Sequence, residues 1–163
     1  MTAQTTTDLA SLLESAFNGA KKVAILGCGS LLRGDDAAGT EIALRLADLS
    51  GRARVFAGHV APENLTGEIK AFAPDLVLIL DAVDFGGQQG DTRMIEIAEI
   101  AGVSFSTHML PLKIIVEYLR QEIGAEIKIL GIQPAGLEFM TDLSPQVSAT
   151  VSSLSELLRI LLA

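Results

Sequence analysis

The chain has 163 residues, and 12 Lys and Arg against 20 Asp and Glu give it a net charge of −8 at pH 7. That length suits one domain with its own core, and 49% apolar with 20% charged residues excludes a disordered chain. The acidic balance argues against nucleic acid or an anionic membrane as partner, and the single cysteine, Cys28, excludes an internal disulfide framework and a Cys-rich metal site.

Residues 8–18 form an amphipathic pattern with Leu9, Leu12, Leu13 and Phe17 on one face and Asp8 as N-cap. A first strand spans 22–27 and runs into the glycine-rich turn Gly27-Cys28-Gly29-Ser30-Leu31-Leu32-Arg33-Gly34-Asp35-Asp36, and a helix follows over 39–49. Val55 and Phe56 mark a second strand ending at Gly58-His59, and Pro62 opens a helix that closes at Phe72 before Pro74. Leu76-Val77-Leu78-Ile79-Leu80 reads as a strand buried on both faces and ends at Asp81. Residues 82–91 read as a loop and 92–97 as a strand. That loop is too short for a crossover helix, so strand 92–97 is expected to run antiparallel. A helix over 111–123, a strand over 126–132 and a helix over 145–162 complete the chain.

The expected fold is α/β: a three-layer sandwich around a mixed, mostly parallel five-stranded sheet. Residues 1–163 read as one domain, with 1–20 as an N-terminal helical extension. No apolar run reaches the roughly twenty residues that span a bilayer. The first eight residues lack the charges and apolar core of a signal peptide. A cytoplasmic monomer with no membrane partner is expected.

In an open α/β sheet the turn after the first strand lies at the carboxyl edge, where ligands bind. Two adjacent acids there are suited to a cation, to proton handling or to capping the next helix, and they would repel a phosphate. One of Asp35 and Asp36 is expected to cap that helix. A dinucleotide fingerprint fails because Leu32 holds the third glycine position, and no Gly-Lys-Ser/Thr follows for a P-loop.

Asp81 ends the most hydrophobic run in the chain and reaches the same edge if the first and third strands are neighbours; its bland role is to cap a turn. Asp84 reads as a solvated loop residue, and Cys28 as a small packing residue rather than a nucleophile. His108, in Thr107-His108-Met109-Leu110-Pro111-Leu112, opens a helix facing that edge and is the better candidate of the two histidines; His59 follows the second strand. Asp36, Asp81 and His108 together are suited to a divalent metal such as nickel or zinc, or to activating water with the imidazole passing protons. The set is poorer in nitrogen than a catalytic zinc site.

These segments resemble the nickel-iron hydrogenase maturation proteases, close to the branch that processes hydrogenase-3-type large subunits. The resemblance rests on the Gly27–Asp36 turn, Leu80-Asp81-Ala82, Thr107–Leu112, Ala61-Pro62-Glu63-Asn64 and Leu130-Gly131-Ile132-Gln133-Pro134, in order from about Lys22 onward. It implies an endopeptidase that removes a short C-terminal extension from the large-subunit precursor once nickel has been inserted. The cut follows a basic residue. It implies that Asp36, Asp81 and His108 contact the nickel and carry out cleavage, the nickel arriving with the substrate and being held weakly by the enzyme alone. Nickel then serves as a recognition element only, or also polarises the peptide carbonyl or a bound water.

Three departures from the family pattern stand out. Ser30 replaces the usual Asn, Ala37-Ala38-Gly39 replaces Gly-x-Gly, and His59 stands where relatives generally have glycine. The competing reading is a non-cleaving nickel or large-subunit chaperone of the same fold.

Overall fold

The computed structural model describes residues 4–105 and 112–163. Its first helix, α1 (Thr6–Asn18), is capped by Thr5, whose hydroxyl oxygen accepts from the Asp8 amide at 3.2 Å. Asp8 is therefore not the cap that the sequence predicts but lies in the first turn, where its charge favours the helix dipole. Leu9, Leu13 and Phe17, spaced four apart, are buried, whereas Leu12 falls off that stripe and is exposed.

The other elements follow as β1 (Val23–Cys28), a 3-10 turn over Gly34–Ala37, α2 (Ala38–Arg45) and β2 (Ala53–His59). A 3-10 turn over Pro62–Leu65 leads into α3 (Thr66–Phe72), and β3 (Leu76–Asp84) and β4 (Thr92–Ile95) come next. A further 3-10 run, Ile97–Gly102, precedes β5 (Ser104–Phe105), α4 (Leu112–Ile123), β6 (Glu126–Ile132) and α5 (Pro145–Leu162). Helix α2 is shorter than the predicted 39–49 because Leu46 closes it, its amide turning back to three carbonyls. Glu96 and Glu99 form a reciprocal capping box that ends β4 early and starts the 3-10 run.

The main sheet has the order β2-β1-β3-β6-β4. β1 runs parallel to β2 and β3, β3 parallel to β6, and β4 antiparallel to β6, as the short 82–91 link requires. β3 continues through Ala82, Val83 and Asp84, which the sequence assigns to a loop. Ala82 pairs with Ile132, and Val83 and Asp84 pair antiparallel with the two residues of β5.

Strand residues alternate between two cores. Ile25, Leu76, Leu78 and Leu80 pack with α1, α2 and α5; Ala24, Leu26, Cys28, Val77 and Ile79 pack with α3 and α4. The apolar run in β3 is continuous because both its faces are covered. β1 and β3 are neighbours whose chains continue to opposite edges of the sheet, so the crevice between their carboxyl ends is the topological switch point, where sites form in open α/β sheets. Among the described residues no helix is long and apolar enough to cross a membrane.

Candidate active site at the switch point

The turn after β1 is shaped by close backbone approach. Gly29 has φ +122°, and a Cβ there would lie 1.7 Å from the Asp36 carbonyl oxygen. A Cβ on Gly39 would lie 2.1 Å from the Leu80 oxygen and 2.6 Å from the Cys28 oxygen. The start of α2 is therefore pressed against the ends of both central strands, which brings the Asp36 turn beside the Leu80–Asp81 peptide.

Asp36 is fully buried. Its Oδ2 accepts from the Ser30 amide at 2.8 Å, while its Oδ1 is buried with no hydrogen-bond partner among the described residues. Such an oxygen costs free energy that a fold normally avoids. The departure at position 30 leaves this contact intact, because the backbone makes it; the Ser30 hydroxyl accepts from the Leu32 amide.

Asp81 is also fully buried. By strand alternation it lies on the α3/α4 face with Cys28. The Cys28 thiol is pushed well above its ordinary pKa, first by burial and then by the negative charges of Asp81, Asp36 and Glu63. The thiol thus feels the charge of all three carboxylates. A buried, protonated thiol is a packing group and not a nucleophile.

The neighbouring acid has a different part. Asp35 Oδ2 accepts from the Ala135 amide (2.7 Å), the Gly136 amide (3.2 Å) and the Ser144 hydroxyl (2.9 Å), and its Oδ1 accepts from the Ser144 amide (2.7 Å). Neither acid makes a side-chain cap on the 3-10 turn or on α2, contrary to the expectation that one would. The donors after β6 take Asp35 instead.

Two residues beyond the sequence prediction belong to this edge. Glu63, at the start of the turn after β2, has a buried Oε2 with no hydrogen-bond partner among the described residues. Its sequence signals are an acid placed, like Asp36 and Asp81, just past a strand end, and its place in the Ala61-Pro62-Glu63-Asn64 segment, to which sequence alone assigns no role. Gln133 is buried; its Oε1 accepts from the Phe85 and Gly87 amides and its Nε2 donates to Asp84. Asp84 is accordingly a fixed exposed acid, its carboxyl held below the usual range by the Gln133 bond and the Gly86 amide.

His108 lies outside the described residues. His59 is exposed at a bulge where Cys28 pairs with it, with φ 51°, in the left-handed region that favours glycine. Its carbonyl accepts from the Gly29 amide at 2.7 Å, a backbone contact that ties the end of β2 to the turn after β1. Among the described residues no three His, Cys, Asp or Glu side chains are grouped so as to hold a metal ion. A concavity of about 600 Å³ near Leu12, Met94 and Arg120 lies on the β4 side of the sheet, and neither Asp36 nor Asp81 lines it.

Comparison with known proteins gives a consistent picture. The family profile described as hydrogenase maturation protease (HycI) matches residues 43–159. The Escherichia coli K12 hydrogenase 3 maturation protease is 34% identical over 131 residues, 79% of this chain and 83% of that protein. The crystal structure of a NiFe hydrogenase maturation protease HycI from Thermococcus kodakarensis KOD1 superposes with a TM-score of 0.85 at 34% identity, covering 93% of this chain and 98% of that one. The solution structure of an endopeptidase HycI from Escherichia coli gives a TM-score of 0.73 at 32% identity, covering 83% and 87%.

Proposed function

Since this chain belongs to the hydrogenase maturation protease family, we propose that it removes the C-terminal extension of a nickel-iron hydrogenase large-subunit precursor after nickel insertion. Asp36, Asp81 and His108 form the unit that reads the substrate-borne nickel and carries out the cut. The observation that carries this reading is the buried Asp36 Oδ1, without a hydrogen-bond partner among the described residues, at the same sheet edge as the buried Asp81.

The donor chemistry fits a divalent ion that arrives already bound. Carboxylate oxygens are hard, weak ligands for nickel compared with imidazole or thiolate. A site built on Asp36 and Asp81 therefore gains affinity when the substrate supplies the other ligands. Two buried negative charges attract the ion most strongly where water is excluded, so nickel on the substrate acts as a check that the precursor is loaded.

Hydrolysis adds water across one amide: hydroxide joins the carbonyl carbon, the C–N bond breaks and the amine leaves with the remaining proton. A carboxylate fixed on one oxygen, as Asp36 is by Ser30, keeps the other oriented toward ligand or water without reorganisation. His108 is the group suited to passing the proton to the leaving nitrogen.

The test is incubation of the protein with nickel-loaded and nickel-free precursor, reading product mass. Shortening only with nickel supports the reading. Binding without shortening assigns the protein to the chaperone class, and shortening indifferent to nickel removes the proposed check.

A further inference from the structure

We propose that the edge formed by Leu31, Leu32, Phe139 and Met140 is a preorganised docking rim for an apolar segment of the precursor polypeptide next to its cleavage point. The inference rests on the proteolytic reading above and extends it to how the substrate is held. These side chains are 40%, 54%, 66% and 73% exposed. Large apolar groups gathered on one surface mark interaction sites, whereas single ones scattered over a surface do not.

They are gathered by the backbone. The Met140 amide donates to the Leu32 oxygen at 2.6 Å, the Gly34 amide to the Thr141 oxygen at 3.1 Å and the Asp35 amide to the Gly136 oxygen at 2.9 Å. The Asp35 carboxylate then receives four further bonds from the same 135–144 loop. Two loops a hundred residues apart are thus locked side by side with their apolar side chains outward.

Met140 also holds φ 64°. The left-handed region is unfavourable for any residue with a Cβ, and the exposed Met140 side chain gains little packing in return. A fold that fixes an unfavourable, exposed methionine in place has its binding geometry ready before the partner arrives, which lowers the ordering cost of association.

Continuity with the site identifies the occupant. Leu31 and Leu32 lie in the turn that carries Asp36, and Ser30 bonds that carboxylate directly. The rim is therefore contiguous with the turn that a peptide must reach to be cut. Exposed Glu138 and Asp142 flank Phe139–Thr141 and disfavour an acidic segment. The partner chemistry is an apolar, non-acidic stretch of polypeptide.

The experiment measures both cleavage and affinity for nickel-loaded precursor with the full chain and its Leu32→Asp, Phe139→Asp and Met140→Gly variants. Ile160→Asp is the control. Ile160 is 74% exposed near the C-terminal end of α5, where Arg52, at the amino end of the sheet, donates to the Leu161 carbonyl. Each rim variant is expected to weaken binding by at least about tenfold, with kcat at saturation within about twofold of wild type. Met140→Gly is expected to do so while melting no lower than wild type, a combination that a merely structural role does not produce. Unchanged affinity in folded Leu32→Asp and Phe139→Asp overturns the rim. Loss of binding in those variants, when wild type binds but does not cut, keeps the rim and removes the proteolytic reading.

Discussion

Asp35 and Asp36 are adjacent and both buried, yet Asp35 receives four hydrogen bonds from residues 135–144 whereas Asp36 Oδ1 has no partner among the described residues. The two acids are separable by mutation. Asp35→Ala empties a buried carboxylate position and breaks its four bonds to the part-buried 135–144 loop, and it is expected to cost about 2–3 kcal/mol. Asp36→Asn keeps the Ser30 contact and is expected to stay within about 1 kcal/mol of wild type while processing falls at least about a hundredfold. Denaturant unfolding and precursor cleavage, measured on both variants, check the split. Normal processing by Asp36→Asn would sink its assignment.

Glu63 is expected to act on the charge of the site. Glu63→Gln removes one of the three carboxylate charges that bear on the Cys28 thiol. Affinity for nickel-loaded precursor should fall by roughly tenfold, about 1.4 kcal/mol, while affinity for nickel-free precursor stays level. Equal effects on both forms would show that the residue matters for packing alone.

Cys28 gives a pH signature. Burial and the surrounding acids hold its proton above the ordinary value of 9.0. A folded pKa above the unfolded one means that this stabilisation is complete below the unfolded value and is lost as pH rises through it toward the folded one. Unfolding free energy should therefore fall as pH rises above the ordinary thiol value in wild type, and less so in Cys28→Ala. At pH 8 the folded protein should resist thiol alkylation, and the alanine variant should still process precursor.

Ala73 closes α3 in the left-handed region, with φ 54° and its amide donating to the Ile69 and Lys70 carbonyls. Glycine suits that position. Ala73→Gly is expected to add about 1 kcal/mol and raise Tm by about 2–4 °C for a chain of this size. Calorimetry checks it; a lower Tm would mean that the left-handed strain is relieved elsewhere.

Much of the architecture is written in local pattern. The apolar run Leu76–Leu80 marks the central strand, the short link before Thr92 forces β4 to reverse, and β6 and α5 begin and end where hydrophobic period and Pro145 place them. What local pattern misses depends on distant partners. β3 extends to Asp84 because β5 and β6 pair with it, and a period of two cannot reveal who the neighbour is. Asp35 looks like a cap because its true donors lie at Ala135, Gly136 and Ser144. Asp36 and Asp81 are legible as acids at strand ends, and Glu63 and Gln133 join that edge only once the strands are set side by side.

The Asp35 clamp has a temporal consequence. It joins residues separated by 100 to 109 positions, and β3 must wait for β6 before the central crevice is flanked on both sides. A nascent chain that has emerged only through β3 holds Asp36 and Asp81 but has nothing to satisfy Asp35, so the first turn is left with a carboxylate that favours water over burial. Non-local closure of this kind forms late. The switch-point edge is therefore finished last during synthesis, and a partly made chain lacks the complete candidate site.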